Sequence, residues 1–569
     1  ASCLGCLVAS LVFPFLLEPN FGVRSMLEIW GGSCLGIFGL TLLYGLIKKS
    51  KDRSKKKEMP SSRVFSNEES ITKFDPIIFF SGFVSSFTFG LFLSMVFLSQ
   101  MSPLLGISLY ALYFLAYVIA FWEIRVPGSR VLALAVPFFF AIILFFLPEL
   151  EAMNFLIPVV VAGIFVFFTQ FAILEHVVIS LEKPMHSGDR LLFLSLGSNL
   201  GMLVSLFLVP HFFSNEYDAP LALVTVAAFN LAAGKKSRWH VLIPACTLAA
   251  VAVYGWHTSQ NVELRYRNFF GTVKVTKQNF SALGVSGSVL WHNRIVYGFQ
   301  VHDSKYAKLP SGFYDSRSIY AQAMKFLWRR APDRALNIGM LGLGVGTLTA
   351  YGRKGDNWRI YEIDESMIRV AQEKFTYLKN SPANLELVVG DARLSMEKEL
   401  ARGRGNDLDL LIIDAHLGLR TPIHLWTKEA YELYLARLRP DGLIVVLLAN
   451  ENIDLNPVIK GIAEKFALDV YVTEGASDMN TFDPKAAVFV RREAASRIQA
   501  NFPGIHLKPL PPGTNHLFWT DDKSSIFDVA TFGVSSSYPL EDESHFLTWF
   551  ENYRFPETEL DGETNHQLP

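Results

Sequence analysis

At 569 residues the chain is too long for one ordinary domain, and half of it is hydrophobic. Its 52 Lys and Arg balance 53 Asp and Glu to a net charge of −1, which leaves no basic footprint and excludes a nucleic-acid binder. The mean hydropathy of +0.27 is high for a soluble protein, and the excess is lopsided: apolar residues crowd the first ~256 positions and most charges follow them.

The first part therefore reads as a polytopic membrane domain over 1–258, in which each spanning helix needs ~20 mostly apolar residues. The segments are 1–17, 26–47, 77–99, 104–122, 131–147, 155–181, 191–209, 219–233 and 239–256, with 219–233 short for a span. The chain opens at Ala1 inside an apolar run without a charged n-region, the expectation for a chain cut within its membrane domain rather than for a signal peptide. Cys3, Cys6, Cys34 and Cys246 all lie in apolar stretches, and the Cys3–Cys6 spacing reads as small packing residues, not a redox or metal pair. Residues 48–57, KKSKDRSKKK, hold seven Lys or Arg and by the positive-inside tendency face the cytoplasm. The links around Arg125 and Arg130, Lys183 and Arg190, and Lys235, Lys236 and Arg238 fall on the same side. Glu149–Glu151 and Glu216–Asp218 fall on the other.

SCLGCLVASLVFP (2–14) is repeated as SNLGMLVSLFLVP (198–210), with Ser2/Ser198, Gly5/Gly201 and Pro14/Pro210 in register. The repeat reads first as two helices sharing a face of small residues, with a repeated transporter unit as the alternative. Glu175 and His176 near the end of 155–181 fit either an interfacial place or a functional one.

After residue 258 the pattern changes. Over 259–330, RNFFGTVKV (267–275) and SVLWHNRIVYGFQ (288–300) predict short strands of a small β domain. From Ala335 to Gly352 the chain reads as a buried strand, a glycine turn and a helix start. Gly342, Gly344 and Gly346 let the backbone approach a ligand, and the helix N-terminus offers free N–H groups. A dinucleotide fingerprint wants GxGxxG. Thr347 stands where its third glycine would be, and GxGxG is the adenosylmethionine style of turn. Three more strands end on acids: WRIYE at Glu362, LELVVGD at Asp391 and LDLLIID at Asp414. Ligands of open α/β sheets bind outside the carboxyl ends of the strands, so all these residues should meet in one cleft. Each acid alone is as well explained as a cap or turn residue, but four such sites at successive strand ends point to an adenosyl ligand. Glu362 would take the ribose hydroxyls, and Asp391 with Ala392 would frame the adenine.

The stretches RNFFGTVKV, GFYDSRS, GLGVGTLTAYG, YEIDESMIRVA, GDARLSMEKE, DLLIIDAH, TPIHLWTKEAYELYL and FWTDD resemble the bacterial fused membrane–spermidine synthase-like proteins, over most of 264–525. FPFLLEPNFG and LGSNLGMLVSL extend the resemblance into the membrane half. It implies a multi-pass α-helical membrane domain, a small β domain and, over 331–530, a Rossmann-like methyltransferase-type sheet of seven strands. It implies a polyamine aminopropyltransferase-like enzyme, which moves an aminopropyl group from decarboxylated S-adenosylmethionine to an amine. It assigns cofactor binding to Gly342, Gly344, Gly346, Glu362, Asp364, Asp391 and Ala392, catalysis to Asp414, and the substrate side to Gln300 and Tyr314. His416 is a further substrate contact in prospect, with His424 flanking the same loop.

Three positions depart from that pattern. Soluble spermidine synthases carry an Asp in the glycine turn, which holds the amine of the aminopropyl arm; Val345 stands there. They carry a second acid soon after the catalytic one; here Ala-His-Leu-Gly-Leu-Arg420 follows Asp414. Tyr297 stands where the fused family often has a His. Three functions stay open: aminopropyl transfer, methyl transfer from S-adenosylmethionine, and a non-catalytic transporter or scaffold with an adenosyl-sensing domain. Expected partners are a small amine, the lipid bilayer and a second copy of the chain through the soluble domain. No metal is expected, because no paired-ligand spacing occurs among the 13 His. The expected place is the cytoplasmic membrane with the soluble domain inside, which requires one of the last two segments not to cross. The acidic tail 531–569 should hold at most one short helix near Phe546–Tyr553.

Overall fold

The computed structural model describes residues 76–98, 103–122, 135–142, 164–171, 173–174, 187–214, 217–233, 238–257, 259–280, 284–293, 295–405, 407–416, 422–448, 453–473, 485–492, 507–510 and 515–529, with isolated positions before residue 40. Segments 1–17 and 26–47, much of 131–147 and 155–181, Glu175, His176, Arg420 and the tail from 531 therefore fall outside the described residues, wholly or nearly so.

The apolar half contains α1 (Pro76–Leu98), α2 (Pro103–Phe121), α3 (Ser187–Leu203), α4 (Asp218–Ala233) and α5 (Arg238–His257). A π turn at Val204–Leu208 carries α3 on into Val209–Phe212. Among the described residues, Pro76–Ser94 and Asp189–Phe212 are long and apolar enough to cross a membrane; Leu109–Ala120, Pro220–Ala232 and Val241–Trp256 are apolar but shorter.

Small residues let α1 and α3 touch backbone to backbone. A Cβ on Gly197 would stand 2.0 Å from the Phe79 carbonyl oxygen, and one on Gly201 would stand 2.3 Å from that of Phe83. These pairings make the two helices parallel. Ser198 donates to the Gly82 carbonyl at 3.3 Å. Ser198 and Gly201 belong to the second copy of the repeat, so packing accounts for them there; the first copy is described only at Val8 and Val12. The outer face of α3 and the turn after it leaves Leu191, Leu192, Leu196, Leu200, Leu203 and Phe207 exposed as an apolar stripe.

The Gly255 position faces the Tyr217 ring at 3.7 Å, so the end of α5 lies beside the start of α4. The link 234–237 is too short for anything but an antiparallel hairpin. The chain therefore leaves and returns to the same end of the bundle.

That end carries the β domain. β1 (Val262–Asn268), β2 (Gly271–Phe280), β3 (Val285–His292) and β4 (Ile295–Val301) form an antiparallel meander in that order. Both stretches read as strands contain hairpin turns, one at Phe269–Phe270 and one at Asn293, whose φ of +55° is the left-handed value a tight turn needs.

The larger sheet comprises β5 (Asn337–Leu341), β6 (Asn357–Glu362), β7 (Asn384–Val389), β8 (Leu408–Ile413), β9 (Leu438–Leu447), β10 (Leu468–Val472), β11 (Ala486–Arg491) and β12 (Lys508–Pro509). Its order is β12-β10-β11-β9-β8-β5-β6-β7. β5 to β9 are parallel, and β11 runs antiparallel to both neighbours. Without the edge strand β12, this is the Rossmann-like, seven-stranded methyltransferase-type sheet that the sequence predicts.

The helices α6 (Ile319–Arg330), α7 (Glu365–Lys374), α8 (Ala392–Ala401), α9 (Lys428–Arg437) and α10 (Asn456–Lys465) cover it. Alternation divides the core: Leu410 and Ile412 join Tyr320 and Met324 on one face, and Leu411 and Ile413 join Tyr431 and Ile459 on the other.

Candidate functional site

Register brings the strand ends level. Leu341 pairs with Tyr361 and Ile413, and Glu362 pairs with Val389. The glycine turn, Glu362, Asp391 and Asp414 thus leave four adjacent strands along one rim, a row about 14 Å long at ~4.8 Å per strand.

Gly342, Gly344 and Gly346 have φ of +91°, +55° and +82°, so every second residue of the turn takes a conformation that favours glycine. A Cβ on Gly342 would stand 2.3 Å from the Asp414 carbonyl oxygen, so turn and acid are in direct contact. The helix expected after the turn is only a 3-10 turn at Thr347–Tyr351. It stops at Gly352, where a Cβ would collide with that of Ala383 at 2.6 Å.

Glu362 holds the turn in place. One carboxyl oxygen accepts the Leu343 N–H at 2.9 Å and the other accepts the Asp364 N–H at 2.9 Å. Burial pushes this carboxyl up to about 7, against the pull of those N–H groups. Each oxygen keeps a lone pair for a ribose hydroxyl.

Asp364 is turned elsewhere. Its Oδ1 caps α7 through the Ser366 N–H at 2.9 Å, and its Oδ2 accepts Asn268 Nδ2 at 2.7 Å and the Tyr266 hydroxyl at 3.2 Å.

Asp391 caps α8 by accepting the Leu394 N–H at 2.9 Å, and its other oxygen meets His424 Nε2 at 3.0 Å. The His424 hydrogen bond, against a smaller effect of burial, holds Asp391 below the usual carboxylate range. Ala392 opens α8, where N–H groups lack intrahelical acceptors. The next residue, Arg393, reaches Thr427 at 3.1 Å and forks onto Asp521 at 2.7 and 2.6 Å. This ties the FWTDD stretch to the Asp391 end of the rim.

At the end of β8, Asp414 Oδ2 accepts the Tyr314 hydroxyl at 2.8 Å, and its Oδ1 lies 3.7 Å from His416 Nδ1. Burial first, then the Asp414 charge, keeps the Tyr314 phenol far above its usual range, so it remains a donor. Tyr297 donates to the His416 carbonyl at 2.6 Å.

Gln300 behaves differently. Its Nε2 donates to the Ala307 carbonyl at 2.7 Å and to Thr376 Oγ1 at 2.8 Å, and its Oε1 accepts the Thr376 N–H at 2.8 Å. The amide joins the β domain to the segment after α7. Among the described residues no group of three or more His, Cys, Asp or Glu gathers as a metal would need.

The rim thus collects the glycine turn, Glu362, Asp391, Ala392, Asp414, Tyr314 and His416, while Gln300 and Asp364 are engaged by the protein. Sequence reasoning missed Tyr266 and Asn268 on Asp364 and the Arg393–Asp521 pair. FWTDD was recognisable, but nothing in it named Arg393 as its partner.

No family model matches the chain, and no curated protein matches it. Among solved structures it is similar to a probable spermidine synthase from Corynebacterium glutamicum, at 17% identity over 45% of this chain and 95% of that one, with a TM-score of 0.33. The spermidine synthase of Thermotoga maritima is 14% identical over 48% of this chain and 85% of its own, with a TM-score of 0.29. Human methyltransferase-like protein 13 in complex with SAH is 17% identical over 32% of this chain and 88% of its own, with a TM-score of 0.26. The strand order, not these similarities, carries the fold assignment.

Proposed function

We propose that the chain is a membrane-embedded transferase that moves an aminopropyl group from decarboxylated S-adenosylmethionine to an amine. The observation that supports it most is that the Asp414 backbone packs on Gly342 while its carboxylate is held by the Tyr314 hydroxyl, which brings a carboxylate to the rim beside the glycine turn. In this reading Glu362 takes the ribose hydroxyls, and Asp391 with Ala392 takes the adenine. The amine nitrogen attacks the methylene carbon beside the sulfonium. An N–C bond forms, the C–S bond breaks, methylthioadenosine leaves, and the ammonium proton passes to the Asp414 carboxylate. Tyr314 fixes the orientation of that carboxylate, and His416 lines the acceptor's path.

One observation favours a second reading, methyl transfer from S-adenosylmethionine. Val345 is buried in an apolar cluster with Val273, Leu290 and Met367, and its methyl groups fill the space beside Gly298. The position that would hold an acid for the aminopropyl amine is a packing position here.

Membrane placement is also part of the proposal. The exposed leucine stripe of α3 supports a bilayer around the bundle. α1 follows the basic run 48–57 and ends near β1, and the basic link 235–238 lies at the far turn of the α4–α5 hairpin. The basic ends are therefore remote from the soluble domain, and the positive-inside tendency favours the soluble domain on the non-cytoplasmic face.

The test is product identification on the full chain in lipid nanodiscs, given each donor with a pool of amines. Methylthioadenosine formed only from the decarboxylated donor plus an amine is the expected result. S-adenosylhomocysteine would establish the methyl reading instead, and binding without turnover would leave a ligand-sensing domain.

A further inference from the structure

The strand that joins the helix bundle to the soluble domain touches both functional regions at once. Side chains alternate along a strand, so Arg267 points one way from β1 while Tyr266 and Asn268 point the other. Arg267 donates from Nη1 and Nη2 to the two oxygens of Asp218 at 2.8 and 3.0 Å, and from Nη2 to Ser94 Oγ at 3.0 Å. Asp218 opens α4 and Ser94 lies near the end of α1, so this fork spans two helices of the bundle. The Arg267 and Asp218 side chains are each 1% exposed, hence out of reach of water.

On the other face, Tyr266 and Asn268 both donate to the same oxygen of Asp364. The Asp364 N–H donates to Glu362, and Glu362 accepts the Leu343 N–H of the glycine turn. Every step in this path is a hydrogen bond or a single strand residue.

β1 is also an edge strand, paired only with β2 and with a register shift between Val262 and Leu264. The ladder alone holds it on one side, so its side-chain anchors decide where it sits.

We propose that Arg267 is a positioning residue, through which the helix bundle sets the geometry of the adenosyl site by way of β1, Asp364 and Glu362. Asp364 is then a positioning residue as well, not a ligand contact. A change of packing between α1 and α4 moves the fork, the strand and the glycine turn together. By reciprocity, a ligand that orders the turn also tightens the bundle at Asp218. The effect on ligand affinity rests on the adenosyl reading of the site; the effect on the glycine turn does not.

The experiment uses the full chain in nanodiscs with Asp218→Asn, Asn268→Ala and the double variant. Hydrogen exchange without ligand is measured over residues 341–348, and S-adenosylhomocysteine affinity is measured separately. Either single change should speed exchange in the turn and weaken binding by about fivefold or more. The double variant should be no worse than the poorer single, because both break one path; independent structural damage would add. If Asp218→Asn unfolds the chain, Ser94→Ala removes one bond of the fork and should give a smaller shift in the same direction. Unchanged exchange in the turn, or additive effects, would overturn the proposal. Faster, non-additive exchange in the variants, with a wild-type chain that binds no adenosyl ligand, would keep the role of Arg267 and sink the adenosyl reading.

Discussion

Away from the Arg267–Asp218 fork at its end, the helix bundle buries polar groups in a different way from the large sheet. In the bundle, Ser85 donates to Gln170 at 2.6 Å and meets the Tyr117 hydroxyl at 2.9 Å, while Ser86 meets that of Tyr113 at 3.0 Å. These groups are all neutral. In the sheet, charge is buried and matched: Glu399 accepts from Arg359 and Arg437, and Tyr361 adds a third donor. A carboxylate is tolerated there only where donors converge, so unmatched acids stand out as sites. Glu362 and Asp414 on the rim are held by neutral donors, backbone N–H groups and the Tyr314 hydroxyl, with no Arg or Lys on them among the described residues.

The contrast yields predictions of decreasing size. Asp414→Asn should lower turnover ~100-fold or more while cofactor binding is kept, as read by product formation and titration; unchanged turnover removes Asp414 from the chemistry. Val345→Asp should not create an amine anchor. It places an unmatched carboxylate in an apolar cluster and should cost about 3–5 kcal/mol in denaturant unfolding of the nanodisc protein. A stable variant with improved aminopropyl transfer would contradict the packing role given to Val345.

In the bundle, Gly201→Leu should separate α1 from α3 and destabilise by at least about 1–3 kcal/mol by overpacking. A thermal melt equal to wild type would refute the close packing. Smallest in energetic terms is orientation. A cysteine at Lys56 and one at Ser304 should be labelled from opposite sides of sealed vesicles, and labelling from one side would restore the cytoplasmic placement.

The two regions also differed in how well sequence revealed them. The strand ends were legible because period-two burial, left-handed glycines and terminal acids coincide in short, local stretches. The 3-10 turn after Gly346 was not: it ends where Gly352 turns extended and packs closely beside Ala383, a neighbour far along the chain. Gln300 looked like a cleft residue, yet its partners, Ala307 and Thr376, are set by how the β domain docks. Hydropathy located the apolar segments, but the pairing of α4 with α5 depends on contacts that composition does not encode. Tyr266, Arg267 and Asn268 read as ordinary strand residues, since their partners lie far along the chain in both directions.

The central claim is that the four strand ends form one adenosyl site. Glu362 tests it most directly, through its raised carboxyl. A carboxyl lifted from 4.5 to about 7 keeps its proton in the folded chain where the unfolded chain has lost it. Its contribution to stability is therefore present below pH 4.5 and lost as pH rises through about 7. Ribose hydroxyls donate to the ionised form, so ligand binding should release this proton. S-adenosylhomocysteine titrated into the full chain should bind more tightly from pH 6 to pH 8. Glu362→Gln should weaken binding at pH 8 by about tenfold and flatten the profile. Binding that ignores both pH and the Glu362→Gln change, or no saturable binding at all, would contradict the account.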